Sequence, residues 1–208
     1  MLVSIPIINM LKAAGFGFKV NNVMSHETFS LVCYAFVDDT DLVHSSIDNL
    51  GLDALINEMQ EVVNTWEGGL RASGGALVPD KSYLYLIHFM FTNNKWRYSS
   101  IEDTPAHLSI RDVSGHNRVE LDRLEVNEAR ETLGVFIAMD GTQEEQMEAL
   151  LAKVLRWADR IRSGQLTHHE AWFSLILCMM KTLEYPLMAT SLSKSQCDTI
   201  MKPILDAG

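Results

Sequence analysis

The chain has 208 residues, 47% of them hydrophobic and 21% charged. That balance excludes an intrinsically disordered protein and leaves room for one large domain or two small ones with a real core. A formal net charge of −10 and a pI near 5.1 argue against a protein held to nucleic acid by bulk electrostatics, though not against a local basic groove.

Taken in chain order, the first run, "MLVSIPIINML", is apolar but short. Pro6 and Asn9 interrupt it and no basic residues lead it, so it predicts neither a signal peptide nor a membrane span. Residues 4–14 read as a helix closed by Gly15, since glycine suits the left-handed position after a helix end. Gly15 and Gly17 make a G-x-G, but Val20 stands where a dinucleotide fingerprint needs its third glycine, so no phosphate loop is predicted. Strands are expected at Phe16–Val20 and Phe29–Val37, joined by the polar stretch Ser25–Thr28. The second runs through Asp38 and Asp39 into a short strand at Asp41–His44, which sets the carboxylates at a hairpin tip.

Leu52, Leu55, Ile56, Met59, Val62, Val63, Trp66 and Leu70 then fall on one face of an amphipathic helix. "SGGALVPDKS" is a loop, "YLYLIHFMF" a buried-type strand, Asn93-Asn94 a turn and "KWRYSS" a returning strand. Leu108–Arg111 and Arg118–Leu121 are candidates to pair across Ser114-Gly115, and "ETLGVFIA" is a last strand ended by Asp140-Gly141. Three capping boxes follow: Thr142 with Glu145, Thr167 with Glu170, and Ser193 with Gln196. They open three helices, of which the second, His168 to about Thr182 and bounded by Pro186, is apolar nearly all round and is expected to be central. Cys33, Cys178 and Cys197 lie far apart with neither zinc nor disulfide spacing, which suits a reducing, intracellular setting.

The residues that ask for chemistry are Asp38 and Asp39, set at the end of the apolar run Leu31–Val37. Two like charges at about 4 Å and an effective dielectric of about 20 repel by about 4 kcal/mol, a cost most readily met where a cation sits between them. A calcium loop does not fit. Counting from Asp39, Val43 holds the fifth position, His44 the sixth in place of glycine, and Leu50 the twelfth in place of glutamate. A plain polar turn and a magnesium site for phosphoryl transfer stay open on these residues alone.

Order along the chain favours the second. "YAFVDDTDL", "GGALVPDKS", "ETLGV" and "SIPIINMLKAAGFGF" resemble, respectively, the aromatic-x-D-D box, the following lysine motif, the segment leading into the thumb, and the tail of the helix after the Q-G motif. The family is the reverse transcriptase domain of non-long-terminal-repeat retrotransposons. The resemblance implies an α+β chain: a partial polymerase palm, an antiparallel sheet with packed helices, over residues 1–140, and a helical thumb-like segment over 141–208. It implies that Asp38 is a direct ligand of catalytic magnesium (or manganese) ions and Asp39 the more peripheral carboxylate. Phe36 would stand beside the templated base pair and Lys81 near the departing pyrophosphate. Lys95, Trp96, Arg97 and Tyr98, alternating base and aromatic, would grip and stack on a primer. The implied partners are an RNA template, a DNA primer and deoxynucleotides, with no membrane and no organic cofactor.

In that family a further aspartate, on a strand preceding the Q-G motif, completes the metal pair, and the fingers come earlier still. Neither falls within these residues, and two adjacent carboxylates do not make a two-metal clamp. The chain is therefore expected to be inactive by itself, with Leu31–Val37 as an unpaired, apolar and aggregation-prone edge. Two alternatives stand beside it. One is a non-catalytic remnant or interaction protein with a helical carboxy-terminal module. The other is a different magnesium phosphotransferase, for which Asp41, Glu58 and Glu61 are weak candidates as a third carboxylate. His168-His169 read as first-turn residues, since helix neighbours point apart and no third ligand is near.

Overall fold

The computed structural model describes residues 4–25, 27–36, 39–45 and 51–207. Two compact units emerge, Met1–Glu125 and Val126–Gly208, both mixing helices with small sheets. The sequence division at residue 140 thus differs from the packing, because the hairpin just before 140 joins the helical unit.

In the first unit, α1 (Ser4–Ala13) ends as its pattern demands, with Gly15 at φ +84°. Strands β1 (Phe18–Asn21) and β2 (Thr28–Leu31) pair antiparallel, and β3 (Cys33–Phe36) pairs with β4 (Asp39–Leu42). The single strand expected over Phe29–Val37 is therefore two. The chain changes partner at Val32, which is 1% exposed and whose carbonyl accepts from the Val43 N–H at 2.8 Å. An apolar run reads as one strand in sequence, but a change of partner needs a break in the ladder that hydropathy does not encode. β4 also starts earlier than the expected Asp41–His44, so Asp39 is a strand residue opposite Phe36.

α2 (Leu52–Ala72) is the spine of this unit. Val62 and Trp66 pack with Ile7, Leu11 and Val32, while Val63 packs with Leu108, Ile110 and Leu121. α1 comes so close that a Cβ on Gly69 would lie 2.5 Å from Ile7 Cγ1.

The expected buried strand at 83–91 divides into β5 (Tyr83–Tyr85) and β6 (Phe89–Thr92). β5 pairs in parallel with β10 (Asp122–Leu124). β6 forms a hairpin with β7 (Lys95–Tyr98), its turn made by Asn93 and Asn94 at φ +54° and +60°, the mirror-image turn that matches strand twist. Its apolar residues are not buried: Phe89 and Phe91 are more than half exposed. The pairing expected across Ser114-Gly115 forms as β8 (Ser109–Arg111) with β9 (Arg118–Glu120).

The free edge of β8 is closed by side chains of α2. Gln60 accepts from the Ser109 N–H and donates to its carbonyl, both at 2.9 Å. Glu67, 3% exposed, accepts from the Arg111 N–H at 2.8 Å and pairs with Arg71 at 3.3 Å. Two helix positions a heptad apart thus stand in for a neighbouring strand, which accounts for buried polar groups on an otherwise apolar stripe.

In the second unit, "ETLGVFIA" is not one strand but a hairpin, β11 (Arg130–Thr132) with β12 (Val135–Ile137). It turns at Leu133 and Gly134, at φ +51° and +80°. α3 (Glu144–Ser163) follows, then a continuous helical run of α4 (His168–Ser174), a π-helical stretch Leu175–Met179 and α5 (Met180–Leu187), and finally α6 (Lys194–Leu205). The boxes at Thr167 and Ser193 form reciprocally. The one at Thr142 does not: Asp140 takes the Thr142 N–H at 2.9 Å, and α3 starts two residues later without a side-chain cap.

The core is Leu150 and Val154 of α3 with Met179, Leu183, Ile200 and Ile204. The α4–α5 run is not central. Met179, Leu183 and Pro186 are buried, while Trp172 and Leu177 are about 60% exposed, because α3 and α6 cover only one side of it. Pro186 lies inside α5 rather than bounding it. Among the described residues no helix is long and apolar enough to cross a membrane.

Candidate functional site

Strand alternation decides what the carboxylate hairpin displays. The pairs Phe36–Asp39 and Tyr34–Asp41 share one face, and all four residues are exposed, Tyr34 by 62% and Phe36 by 60%. The other face carries Cys33 and Leu42, which pack toward the core, and burial pushes the Cys33 thiol up. Asp38, with Val37, lies outside the described residues. Asp41 is held above the ordinary carboxylate value, first by desolvation and second by the Asp39 charge. Ionised carboxylates two residues apart on one face therefore repel, the electrostatic condition that a hard cation relieves.

The root of the hairpin is fixed by a residue the sequence reading passed over. The His44 side chain is 6% exposed. Its Nδ1 accepts from the Gly17 N–H at 3.1 Å, so the proton sits on Nε2, 2.8 Å from Glu58 Oε2, and Phe16 packs edge-on against the ring at 5.7 Å. One imidazole thus joins the entry to β1, the exit of β4 and helix α2. Glu58 is engaged as the partner of His44, at the root of the hairpin. Fourteen residues separate the pair, and no local pattern announces it.

Donor chemistry on this hairpin fits magnesium, since carboxylate oxygens are its preferred protein ligands. Number does not: among the described residues no group of three His, Cys, Asp or Glu side chains converges to hold a metal ion. Lys81 closes the turn Pro79–Lys81 and is exposed. No ion pair joins it to Asp39 or Asp41 among the described residues.

The basic-aromatic stretch behaves differently from its sequence reading. In β7 the two-residue period puts Trp96 and Tyr98 on one face with Phe91 and Phe89. Phe91 and Trp96 ring centroids are 5.2 Å apart and those of Phe89 and Tyr98 4.7 Å. Lys95 and Arg97 point to the opposite face, so base and aromatic do not form one surface. Trp96, 70% exposed, heads an aromatic ladder. Arg97 is committed to Asp103 through bonds of 2.6 and 3.0 Å. The period-two rule already contained this separation.

The Arg97 guanidinium, the Ser100 N–H and the Ser100 hydroxyl hold the Asp103 carboxyl well below the usual carboxylate range. A depressed carboxylate stabilises the fold above its unfolded value of about 3.9, and that contribution is lost as pH falls toward the folded value. Ser100 amide exchange is therefore expected to be protected at pH 7 and to lose protection progressively below about pH 4. In Asp103→Ala that acid step should vanish and exchange at pH 7 should rise about tenfold, as measured by hydrogen exchange.

No family model matches this chain, and neither a curated protein nor a solved structure does.

Proposed function

We propose that the chain is part of an RNA-directed DNA polymerase of the non-long-terminal-repeat retrotransposon type, and that these 208 residues do not transfer nucleotides by themselves. The reading rests on one observation above the others. Phe36 and Asp39, the ends of an F-V-D-D sequence, are exposed on a hairpin rooted in a core, and along the chain a helix, a lysine turn and an L-G-V segment follow in the order the family uses.

Within this reading Asp38 and Asp39 would hold magnesium, which in the intact family activates a hydroxyl and takes up charge on leaving pyrophosphate. Phe36, beside Asp39, would lie against the templated pair and Lys81 would supply positive charge near phosphate. The Phe91–Trp96 ladder is a stacking platform for bases. Lys95 would meet phosphate from the other face, as would Arg97 once released from Asp103. Palm and thumb are, on this reading, the roles of the first and second units. On this reading the chain alone is inactive because, among the described residues, no third carboxylate converges to complete a metal site.

A primer-extension assay with magnesium or manganese tests this. No incorporation above background is expected from the purified chain, and template-dependent incorporation overturns the claim of inactivity. The family reading is tested separately by the coding sequence immediately upstream of Met1, which should encode an aspartate strand and a Q-G motif. The alternative of an interaction protein draws on the exposed apolar side chains of the α4–α5 run.

A further inference from the structure

His44 ties the exit of β4 to two other segments through one ring, and only its neutral form holds both. Nδ1 accepts from the Gly17 N–H at 3.1 Å, and a ring nitrogen accepts only while it carries no proton of its own. Nε2 lies 2.8 Å from Glu58 Oε2. That contact survives a change of charge, because Nε2 bears a proton in this neutral tautomer and in the cation alike. Imidazole is the side chain that ordinarily changes charge between about pH 5 and 8. A second proton enters this ring only at Nδ1, where it meets the Gly17 N–H donor to donor.

The surroundings decide which side gives way. Gly17 is wedged at φ +113°, so close to β2 that an added Cβ would lie 2.6 Å from the Leu31 carbonyl oxygen. Its neighbour Phe16 donates its backbone N–H to the Leu11 carbonyl of α1 at 3.1 Å. Backbone held from two directions yields less readily than a ring that turns about two side-chain torsions. Glu58, with 37% of its side chain exposed, has room to follow the ring.

Other charged groups of this corner offer the ring no substitute for Gly17. Lys12 of α1 acts on the Cys33 thiol of β3, and Lys19 of β1 has its Nζ 3.8 Å from where a Cβ on Gly15 would stand. Glu61 of α2 and Asp39 and Asp41 of β4 are exposed. Among the described residues, none of these five forms an ion pair with His44 or Glu58.

We propose that His44 is a proton switch on the carboxylate hairpin. Neutral, it braces the exit of β4 against both the entry to β1 and helix α2. Protonated, it keeps Glu58, releases Gly17 and leaves the hairpin without its tie to the β1 entry. The switch does not rest on the polymerase reading, since it is built from the hairpin's root and not from what its tip binds.

The test is nuclear magnetic resonance on the full chain from pH 8 to pH 5. Imidazole nitrogen shifts read the protonation of each His44 nitrogen, and hydrogen exchange reads the protection of the Gly17 amide. At pH 8 the expected ring carries its proton on Nε2 only. As the ring takes its second proton, Gly17 protection should fall about tenfold, the worth of one hydrogen bond, while the Val62 amide in the core keeps its own. H44N places an oxygen acceptor near the position of Nδ1 on a side chain that does not titrate, so its Gly17 protection should show no such step. H44Q serves the same purpose should H44N fail to fold, and the wild-type titration stands without either. Five results each overturn the proposal. They are a proton on Nδ1 at pH 8, a ring that stays neutral down to pH 5, Gly17 protection that is flat through the titration of the ring, a step that persists in H44N or H44Q, and loss of Val62 protection in the same step, which would mean that the whole unit opens.

Discussion

Gly17→Ala is expected to destabilise the first unit by about 3 kcal/mol and to lower its Tm by about 10 °C. Gly17 stands at φ +113°, and a Cβ there would lie 2.6 Å from the Leu31 carbonyl oxygen and 3.2 Å from Val32 Cγ2. The obstacle is backbone, which cannot rotate away as a side-chain end can. Moving it disturbs Val32 in the core and breaks the Gly17–His44 bond, so the carboxylate hairpin loses its root. Gly51→Ala is the control, since nothing lies within 4 Å of the added carbon, and a change of about 0.5 kcal/mol or less is expected there. Denaturant titration of the two variants checks this, and a Gly17→Ala protein that melts like wild type would refute the anchoring role.

Leu150→Ala should cost the second unit about 3 kcal/mol. Leu150 is fully buried among Val154, Met179, Leu183, Ile200 and Ile204, residues from three helical segments, so the cavity opens where all of them meet. Leu155→Ala, on the same helix but 43% exposed, should change stability by about 0.5 kcal/mol or less. Hydrogen exchange over residues 126–207 locates the effect. Faster exchange in α3 and α6 of Leu150→Ala, against wild-type rates in Leu155→Ala, is the expected pattern, and equal rates in both would contradict this core assignment.

Turns and caps carried by their own residues were legible. Asn93-Asn94 tolerates positive φ and made its hairpin, and Thr167 and Ser193 bonded their own Glu170 and Gln196. Leu133 shows the limit, because nothing about a leucine announces φ +51°; only the pairing of the flanking strands imposes it. Thr142 shows another, where a competing acceptor two residues back outbid the local motif.

The candidate site divides the same way. The acidic pair, its aromatic neighbours and the following helix could be read from residue order, and so could the opposite facing of Lys95 and Trp96. The grip of Asp103 on Arg97, the His44–Glu58 link and the Gln60 and Glu67 clamps on β8 could not, because each joins groups whose meeting depends on how the elements pack.

What the chain determined by itself, then, is what short-range physics controls: helix faces, caps, tight turns and the placing of acids beside an apolar run. Tertiary structure alone decided which strands paired, where Val32 broke a continuous apolar run, and why the greasiest helical stretch stayed open to water. Burial is a property of how many neighbours arrive, and a helix apolar all round is covered only on the sides where other elements pack against it.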